Sequence, residues 1–389
     1  GDLNDFLSPA SECVLPLKAI DTFKKSEGSR KDPKNRSEVV ASVSLSDCLS
    51  CSGCVTSAEE VMMKRQGVDH LTKAVEVGST CVVSFSPQSL SSLAACFNTT
   101  ASKFARSVSS FLKLRVGVKF VFDTSLSAQV AQHEAKKEFM ERWGARGPFP
   151  ILCTECPGVV IFSEKKQYDL FARLLSTVRS PQAISGERTY LFSSLNPFDM
   201  STGKLIKQIW HCTIMPCFDK KLESAREEFS VVETEGGALT SSPETDAVIT
   251  TSEFYSYLLQ EGFQFQGGKE SNVGRKFKLP SMSEPQLSDH SAGFSNGYLE
   301  VVARHAAQQI LGINLPPSLV YNYPATGSLD IKELTVSDGS GRELNFAAVY
   351  GYRHLQTLIQ KVRMRQCKYH YVELMSCPEG CTNGGGQLK

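Results

Sequence analysis

Apolar and polar positions alternate in blocks from residue 81 onwards, and these blocks predict strands and helices in turn. Short apolar runs that end in turn-forming residues predict buried strands at 81–88, 116–125 and 149–153. The mixed segments between these runs predict helices, one at 89–112 and one that ends near Trp143. Strands that alternate with helices of about ten or more residues are typical of a parallel sheet covered on both faces. The pattern therefore predicts an α/β fold.

The same alternation continues through the second half of the chain. It predicts helices at 165–178, 298–311 and 351–364 and strands at 209–215, 344–350 and 369–374. Residues 245–253 predict a further strand and the start of a helix, with Thr251 or Ser252 as the N-cap. Residues 264–289 are rich in Gly, Ser, Lys and Pro, which predicts a loop or linker.

The first 75 residues have a different character. They contain few long apolar stretches and carry a polar, basic run from Lys24 to Arg36, so this segment needs a staple to hold a fold. A chain of 389 residues is also too long for one simple core. We therefore predict a small N-terminal domain at 1–76 and two α/β lobes of mainly parallel sheet flanked by helices, at 77–214 and 215–389.

Composition narrows the class of protein. The chain is 41% hydrophobic, 9% aromatic and 21% charged, as in an ordinary globular protein, and its net charge of +1 favours neither nucleic acid nor an acidic membrane as a partner. No apolar run approaches the length that spans a bilayer, and the first twenty residues contain Asp2 and Asp5 and no signal-peptide core. We predict a protein of the cytoplasm or the nucleus.

Thirteen cysteines in a chain without a secretion signal favour metal or redox chemistry over disulfides. The spacing Cys48-x2-Cys51-x2-Cys54 is the one that bacterial-type ferredoxins use to place three thiolates on an iron-sulfur cubane. The position where ferredoxins have a fourth cysteine is Ala58, and Cys13 is the only other cysteine of this segment. We predict that Cys13, Cys48, Cys51 and Cys54 hold one [4Fe-4S] cluster in a ferredoxin-like domain, with tetrahedral zinc as the alternative.

Four other cysteines follow the ends of predicted strands. They are Cys156, Cys217, Cys377 and Cys381, and the last two are separated by Pro and Gly and followed by the glycines 384–386. Ligands in parallel sheets collect beyond the carboxyl ends of the strands, and glycines let the main chain approach a bound group. The sequence therefore predicts that these four thiolates hold one buried cluster between the lobes. We interpret Cys81, Cys96, Cys212 and Cys367 as small core residues, and Cys153 as a spare thiol or core residue.

Three of these stretches resemble the signature motifs of the [FeFe]-hydrogenase superfamily. They are Cys156-Pro-Gly, then Met215-Pro-Cys217-x-x-Lys220-Lys-x-Glu223, then Glu373-x-Met-Ser-Cys377-Pro-x-Gly-Cys381-x-x-Gly-Gly-Gly-Gln387. Cys13 with the C-x2-C-x2-C motif, Ser84-x-Ser-Pro-Gln88 and Phe346-Ala-Ala-Val-Tyr350-Gly-Tyr-Arg353 resemble its eukaryotic hydrogenase-like branch, the NARFL-type proteins of cytosolic iron-sulfur protein assembly. The resemblance covers nearly the whole chain.

The resemblance implies two [4Fe-4S] clusters, the inner one held by Cys156, Cys217, Cys377 and Cys381. It implies a non-enzymatic component that holds both clusters and helps to deliver [4Fe-4S] clusters from a scaffold complex to target apoproteins. The implied partners are cytosolic iron-sulfur scaffold and targeting-complex proteins.

The alternative is a functional [FeFe]-hydrogenase. In those enzymes the thiolate that matches Cys381 bridges to a diiron unit, which the residues matching Met215, Lys220 and Met375 surround. Two departures weaken this alternative: Glu155 stands where the hydrogenases have a proton-relay cysteine, and Val159 stands where they have a tryptophan.

Overall fold

The computed structural model describes Met63 and residues 66–195, 209–235, 238–265, 297–324 and 328–388. Cys13, Cys48, Cys51 and Cys54, and with them most of the predicted N-terminal domain, lie outside these residues. The strands that the structure describes are β1 (Thr80–Phe85), β2 (Phe120–Asp123), β3 (Ile151–Cys153), β4 (Ile209–Met215), β5 (Ser230–Glu235), β6 (Ala238–Pro243), β7 (Ala247–Thr250), β8 (Ile331–Ser337), β9 (Glu343–Tyr350) and β10 (Tyr371–Met375).

Helices, singly or in consecutive groups, connect many of these strands. They are α1 (Val68–Glu76), α2 (Pro87–Cys96), α3 (Ala101–Phe111), α4 (Ser125–Gly144), α5 (Pro157–Lys166), α6 (Tyr168–Leu174), α7 (Pro181–Leu195), α8 (Asp219–Ser224), α9 (Thr251–Gln260), α10 (Tyr298–Ala306) and α11 (Tyr352–Arg363). Single π-turns extend α3 over Leu112–Val116 and α10 over Ala307–Leu311.

Two four-stranded sheets carry the fold. The first has the order β2-β1-β4-β7, and every pair in it is parallel. The second has the order β3-β10-β9-β8. In it β3, β10 and β9 are parallel, and the edge strand β8 is antiparallel to β9. A separate hairpin joins β5 and β6. These mainly parallel sheets with helices between their strands confirm the predicted α/β class.

The chain passes from one sheet to the other and back, so the strands of the two sheets are interleaved in the sequence. β3, at residues 151–153, belongs to the second sheet, while β7, at residues 247–250, belongs to the first. Each sheet therefore draws strands from both sides of the predicted boundary at residues 214 and 215. The limits of the domains stay a prediction.

Each sheet has an apolar core of its own. Phe85, Phe104 and Phe254 are at most 1% exposed in the first core, and Phe139 and Phe346 are fully buried in the second. Burying side chains of this size stabilises the fold by roughly 2 to 3 kcal/mol each, before the cost of ordering the chain.

Several predicted elements differ from the structure. The helix predicted at 89–112 is two helices, because Thr100 caps a new helix after a turn in which Asn98 has φ 49°. The helix predicted at 165–178 begins earlier, with Pro157 in the first turn of α5, and breaks at Gln167. The N-cap of α9 is Thr250, not Thr251 or Ser252, and its side chain forms a capping box with Glu253.

The sequence did not predict several described elements, among them the helices α7 and α8, the β5–β6 hairpin and the edge strand β8. In the residues that the structure describes, no helix combines the length and the apolar character that crossing a membrane requires.

Candidate metal centre

The carboxyl ends of three strands bring cysteines into one place. Cys156 follows β3 by three residues, Cys217 follows β4 by two, and Cys377 follows β10 by two. β3 and β10 are parallel neighbours in the second sheet, so their ends lie side by side, while β4 comes from the first sheet. Cys381 then returns on a short 3-10 turn at Gly380–Asn383.

These four cysteines line a single cavity. Its lining consists of Cys156, Pro157, Cys217, Asp219, Lys220, Met375, Ser376, Cys377, Gly380, Cys381 and Gly384. The structure therefore brings together all four residues predicted for the inner cluster. Cys153, in contrast, is 2% exposed within the second core and does not line the cavity.

The remaining cysteines that were interpreted as core residues divide into two groups. Cys81 and Cys212 are fully buried in the first core, as expected. Cys96 is exposed and Cys367 is half-buried, so for Cys96 the interpretation is wrong. Cys96 is the last residue of α2, and Cys367 lies between α11 and β10. At such positions apolar residues nearby in the sequence do not ensure burial.

Hydroxyl groups fix the second-sheet part of the cavity. The Thr154 hydroxyl donates to the carbonyl of Leu374 at 2.7 Å and accepts from the amide of Cys156 at 3.0 Å, which ties the Cys156 loop to β10. The Ser376 hydroxyl lies 3.0 Å from the sulfur of Cys156 and 3.9 Å from that of Cys377. A hydroxyl within reach of two sulfurs can donate a hydrogen bond to a thiolate.

A distant carboxylate anchors the Cys377–Cys381 turn. Asp330, just before β8, accepts the amide of Glu379 at 2.8 Å, and Glu379 has φ 60°, in the left-handed region. That conformation is uncommon for a residue with a Cβ, and the hydrogen bond to Asp330 helps to hold it. No sequence signal pointed to Asp330, which lies far from the cysteines along the chain.

The glycines of the last motif pack closely against neighbouring segments. A Cβ on Gly384 would lie 2.3 Å from the carbonyl oxygen of Pro216, and one on Gly386 would lie 2.8 Å from the Cβ of Thr250 and 3.2 Å from the Cα of Cys217. The amide of Gly386 donates to the same Pro216 carbonyl at 2.9 Å. The close approach that these glycines permit is therefore between the last loop and the end of β4, which brings Cys381 and Cys217 to the same cavity.

Lys220 is the only cationic side chain among the described residues that line the cavity. It is 4% exposed, and its Nζ donates to the carbonyl of Glu155 at 2.9 Å and to the two carboxylate oxygens of Glu223 at 2.9 and 3.2 Å. Burial alone would lower the pKa of Lys220, but the carboxylates of Glu223 and Glu155 outweigh burial and raise it. The ammonium stays charged.

Burial dominates the titration of the other groups. It raises the pKa of the thiols of Cys156, Cys217 and Cys381, and it raises the pKa of Glu155 to about 7, against the attraction of Lys220. The thiol of Cys381 donates to Glu155 Oε1 at 3.5 Å. A metal group that binds these sulfurs would therefore have to displace their protons.

The donor set fits an iron-sulfur cluster. Cys156, Cys217, Cys377 and Cys381 offer four thiols, the usual ligand set of a cubane. In the described part of the chain, His, Cys, Asp and Glu side chains nowhere gather in threes closely enough to hold one metal ion. The four sulfurs thus surround a cavity rather than converge on a point.

Several proteins are similar in sequence to this chain over all of its residues. A family described as "Iron only hydrogenase large subunit, C-terminal domain" matches residues 79–385. "Cytosolic iron-sulfur assembly component 3" of Mus musculus is 36% identical over 100% of this chain and 83% of its own length. "Protein NAR1" of Arabidopsis thaliana is also 36% identical, over 100% of this chain and 82% of its own.

Solved structures show a similar fold. A variant of the [FeFe]-hydrogenase HydA1 from Chlamydomonas reinhardtii superposes with a TM-score of 0.64 over 83% of this chain and 84% of that chain, at 22% sequence identity. Identity at this level supports a shared fold and leaves the chemistry of the cavity to be judged from its own residues.

Proposed function

This chain belongs to the iron-only hydrogenase family defined by the C-terminal domain of the large subunit, with the cytosolic iron-sulfur assembly components among its relatives, and from that premise we propose that it serves cytosolic iron-sulfur protein assembly. In this role it holds two [4Fe-4S] clusters and helps to deliver [4Fe-4S] clusters from a scaffold complex to target apoproteins. The name of the mouse relative supports the pathway. It also favours a cytoplasmic location and partners among the scaffold and targeting-complex proteins of that pathway.

One observation carries the proposal for the inner cluster. Cys156, Cys217, Cys377 and Cys381 arrive from two different sheets and still line one buried cavity. Thiolates in this number supply all the ligands that a cubane needs. Because Cys156 and Cys217 are buried and Cys377 and Cys381 are half-buried, protein would cover much of a cluster bound there.

The proposal for the other cluster rests on sequence. Cys13, Cys48, Cys51 and Cys54 lie outside the described residues, and their spacing supports a cubane better than the paired knuckles of zinc sites. We propose that this second ligand set, on a segment with little apolar surface of its own, holds the cluster that exchanges with partners.

A hydrogenase is the second candidate, because Lys220 and Met375 line the cavity. The hydrogen bonds of Lys220 weigh against it. An ammonium has three hydrogens, and Glu155 and Glu223 present three acceptors to them at 2.9 to 3.2 Å. A diiron group would have to compete with these buried acceptors for Lys220. We therefore propose a protein without hydrogenase activity.

The test is a Mössbauer spectrum of the full chain labelled with iron-57 and isolated without oxygen. We expect two cubane-type components and nothing else. The variant Cys381→Ser should remove one component, and Cys51→Ser should remove the other, which assigns each to its ligand set. Hydrogen evolution from a reduced dye should be undetectable.

Three results would contradict the proposal. An additional low-spin iron pair together with hydrogen evolution would establish the hydrogenase. Zinc in place of iron would establish a zinc-stabilised interaction protein. Loss of both components in Cys51→Ser would show that the two ligand sets do not hold independent clusters.

A further inference from the structure

Helix α8, which follows Cys217 and carries Lys220, is only six residues long. A helix of this length has almost no stability of its own, because the cost of nucleation is not recovered within one and a half turns. Contacts with the rest of the protein must therefore hold it. The structure shows two sets of contacts, one made by Lys220 and the other made by Lys221.

One set faces the cavity. Lys220 reaches the carbonyl of Glu155 at 2.9 Å, and the carbonyl of Lys220 accepts from Gln182 Nε2 at 3.0 Å. These bonds join α8 to the loop that carries Cys156 and to the first turn of α7. They belong to the cavity already described.

The other set faces away from the cavity and centres on Lys221. This lysine is 1% exposed, and its Nζ donates to the backbone carbonyl of Gln66 at 2.7 Å and to Glu253 Oε1 at 2.7 Å. Gln66 Nε2 in turn donates to the carbonyl of Lys221 at 2.9 Å. Gln66 and Lys221 therefore bind each other reciprocally, through both side chains and both carbonyls.

The side-chain oxygen of Gln66 makes two further bonds. It accepts from the amide of Val248 at 3.0 Å and from the hydroxyl of Ser224 at 3.2 Å. Val248 lies on β7, at the edge of the first sheet, and no strand among the described residues pairs with the outer side of β7. Gln66 thus links the sheet edge to the last residue of α8.

Apolar packing strengthens the same contact. Met63 is 1% exposed and forms a small cluster with Ile161, Phe218 and Leu222. Ile161 lies on α5, which begins directly after Cys156, and Phe218 directly follows Cys217. Met63 therefore touches the segments that follow two of the four cavity cysteines.

We propose that Met63, Gln66 and Lys221 form an anchor that holds α8 in place, with Gln66 and Lys221 acting as positioning residues for Cys217 and Lys220. The anchor is also where the chain arrives from the N-terminal cysteine motif, since Met63 lies nine residues after Cys54. Through this anchor Met63 and Gln66 support the wall of the inner cavity. The inference concerns contacts of the chain itself and holds whichever group the cavity binds.

The test is hydrogen exchange of the full chain, isolated without oxygen, as wild type and as Gln66→Ala. Removing the Gln66 amide leaves the Val248 amide and the Lys221 carbonyl without their partners, so α8 should open more often. We expect the amides of residues 219–224 to exchange at least about tenfold faster, as for loss of one or two buried hydrogen bonds. The amides of β1 should keep their rates. The matched control is Gln129→Ala, a change at an exposed glutamine of α4.

A second readout separates positioning from general stability. Alkylation of Cys217, measured by peptide mapping with the exposed Cys96 as the reference thiol, should accelerate in Gln66→Ala, while alkylation of the fully buried Cys212 should not. Equal acceleration at Cys217 and Cys212, or exchange in α8 within about twofold of the control, would overturn the anchor. Hydrogen exchange in α8 is measured whether or not iron is bound, so the proposed function and the anchor can fail separately.

Lys221→Met completes a double-mutant cycle with Gln66→Ala. If the two residues act as one anchor, the double variant should exchange in α8 no faster than the more severe single variant. Additive effects would show that the two residues hold α8 independently and would overturn their action as one anchor. Should Lys221→Met not fold, Gln66→Ala decides alone, because it keeps the pair of Lys221 and Glu253.

Discussion

The two walls of the cavity use different interactions. The second-sheet wall carries Cys156, Cys377 and Cys381, and neutral hydrogen bonds from Thr154 and Ser376 join its loops. The first-sheet wall carries Cys217, followed by the charged residues Asp219, Lys220 and Glu223 on α8.

The difference separates two tasks. Neutral hydrogen bonds contribute about 1 kcal/mol each and fix geometry without adding charge, which suits a wall that presents three sulfurs. A buried ion pair contributes little net stability but is very costly to leave half-made. The second-sheet wall therefore determines the positions of its three sulfurs, and the first-sheet wall supplies the charged side chains near the sulfurs.

The largest effect expected from this comparison is that of Lys220→Met. The change leaves the Glu223 carboxylate, which is 6% exposed, without its cation. We expect a loss of about 3 to 5 kcal/mol in the free energy of unfolding, measured by urea titration of the full chain. Lys73→Met, on the exposed surface of α1, is the matched control and should change stability by less than about 0.5 kcal/mol.

Adding Glu223→Gln to Lys220→Met sharpens this prediction. Without a buried charge on either side, the double variant should recover a large part of the lost stability. If the double variant is no more stable than Lys220→Met alone, then the bond to the Glu155 carbonyl, and not the ion pair, is what holds the first-sheet wall.

The two sheets also differ in the buried titratable side chains of β4 and β10, the strands that end beside the cavity. β4 carries a fully enclosed base, His211, whose Nε2 accepts from the Ser84 hydroxyl at 2.7 Å and whose Nδ1 donates to the Glu244 carbonyl at 3.3 Å. β10 carries a fully buried acid, Glu373, which accepts from the Tyr350 hydroxyl at 2.7 Å. Burial lowers the pKa of His211 to about 4 and raises that of Glu373, so both are disposed toward their neutral forms.

His211 gives a pH dependence of the first sheet. In the unfolded chain a histidine has a pKa near 6.5, whereas burial in the folded chain lowers the pKa of His211 to about 4. Stability from this residue is therefore present above pH 6.5 and is lost as the pH falls toward 4, by about 3 kcal/mol. The measurement is the difference in unfolding free energy between wild type and His211→Gln at pH 7, 6, 5 and 4. As the pH falls, the wild type should lose unfolding free energy relative to His211→Gln.

The variant is needed because a neighbour acts in the opposite direction. Burial raises the pKa of Asp246, which accepts the His211 amide at 2.8 Å, to about 6. A raised carboxyl pKa means that stability from Asp246 is lost as the pH rises from about 4 to 6. The stability of the wild type alone therefore mixes two opposed effects. A difference between wild type and His211→Gln that stays constant with pH would show that folded His211 accepts its proton normally.

The sequence predicted the strand ends well because parallel strands leave a strong local pattern. A buried apolar run followed by a cysteine marks Cys156, Cys217 and Cys377, and the structure places all three on one cavity. Helix α7 and strand β8 were missed for the opposite reason. β8 has only two fully buried positions among seven, Leu334 and Val336, so its apolar alternation is weak.

Contacts between distant residues were beyond any pattern in the chain. Asp330 holds the Cys377–Cys381 turn, and Gln66 holds α8, yet neither residue type nor local spacing distinguishes them from surface residues. Lys221 is a clearer case, because a lysine beside another lysine suggests a solvated surface, whereas the structure buries both. Such side chains become recognisable only once the fold brings their partners close.

The smallest effect on stability, and the most selective one, is expected for Ser376→Ala in the second-sheet wall. The hydroxyl lies 3.0 Å from the sulfur of Cys156, and removing it should lower stability by no more than about 1 kcal/mol. If the proposed cluster is present, a hydrogen bond to a ligand sulfur favours its reduced, more negative form. Loss of about 1 kcal/mol of that preference corresponds to a reduction potential more negative by roughly 40 mV.

Redox titration followed by electron paramagnetic resonance measures this shift. Ser376→Thr keeps the hydroxyl and should return the potential toward that of the wild type, whereas Ser376→Ala should leave the signal of the proposed N-terminal cluster unchanged. A potential that does not move in Ser376→Ala would mean that the hydroxyl donates elsewhere. The second-sheet wall would then position the sulfurs through Thr154 and backbone alone, and the charge of Lys220 in the first-sheet wall would be left as the main influence on the cluster.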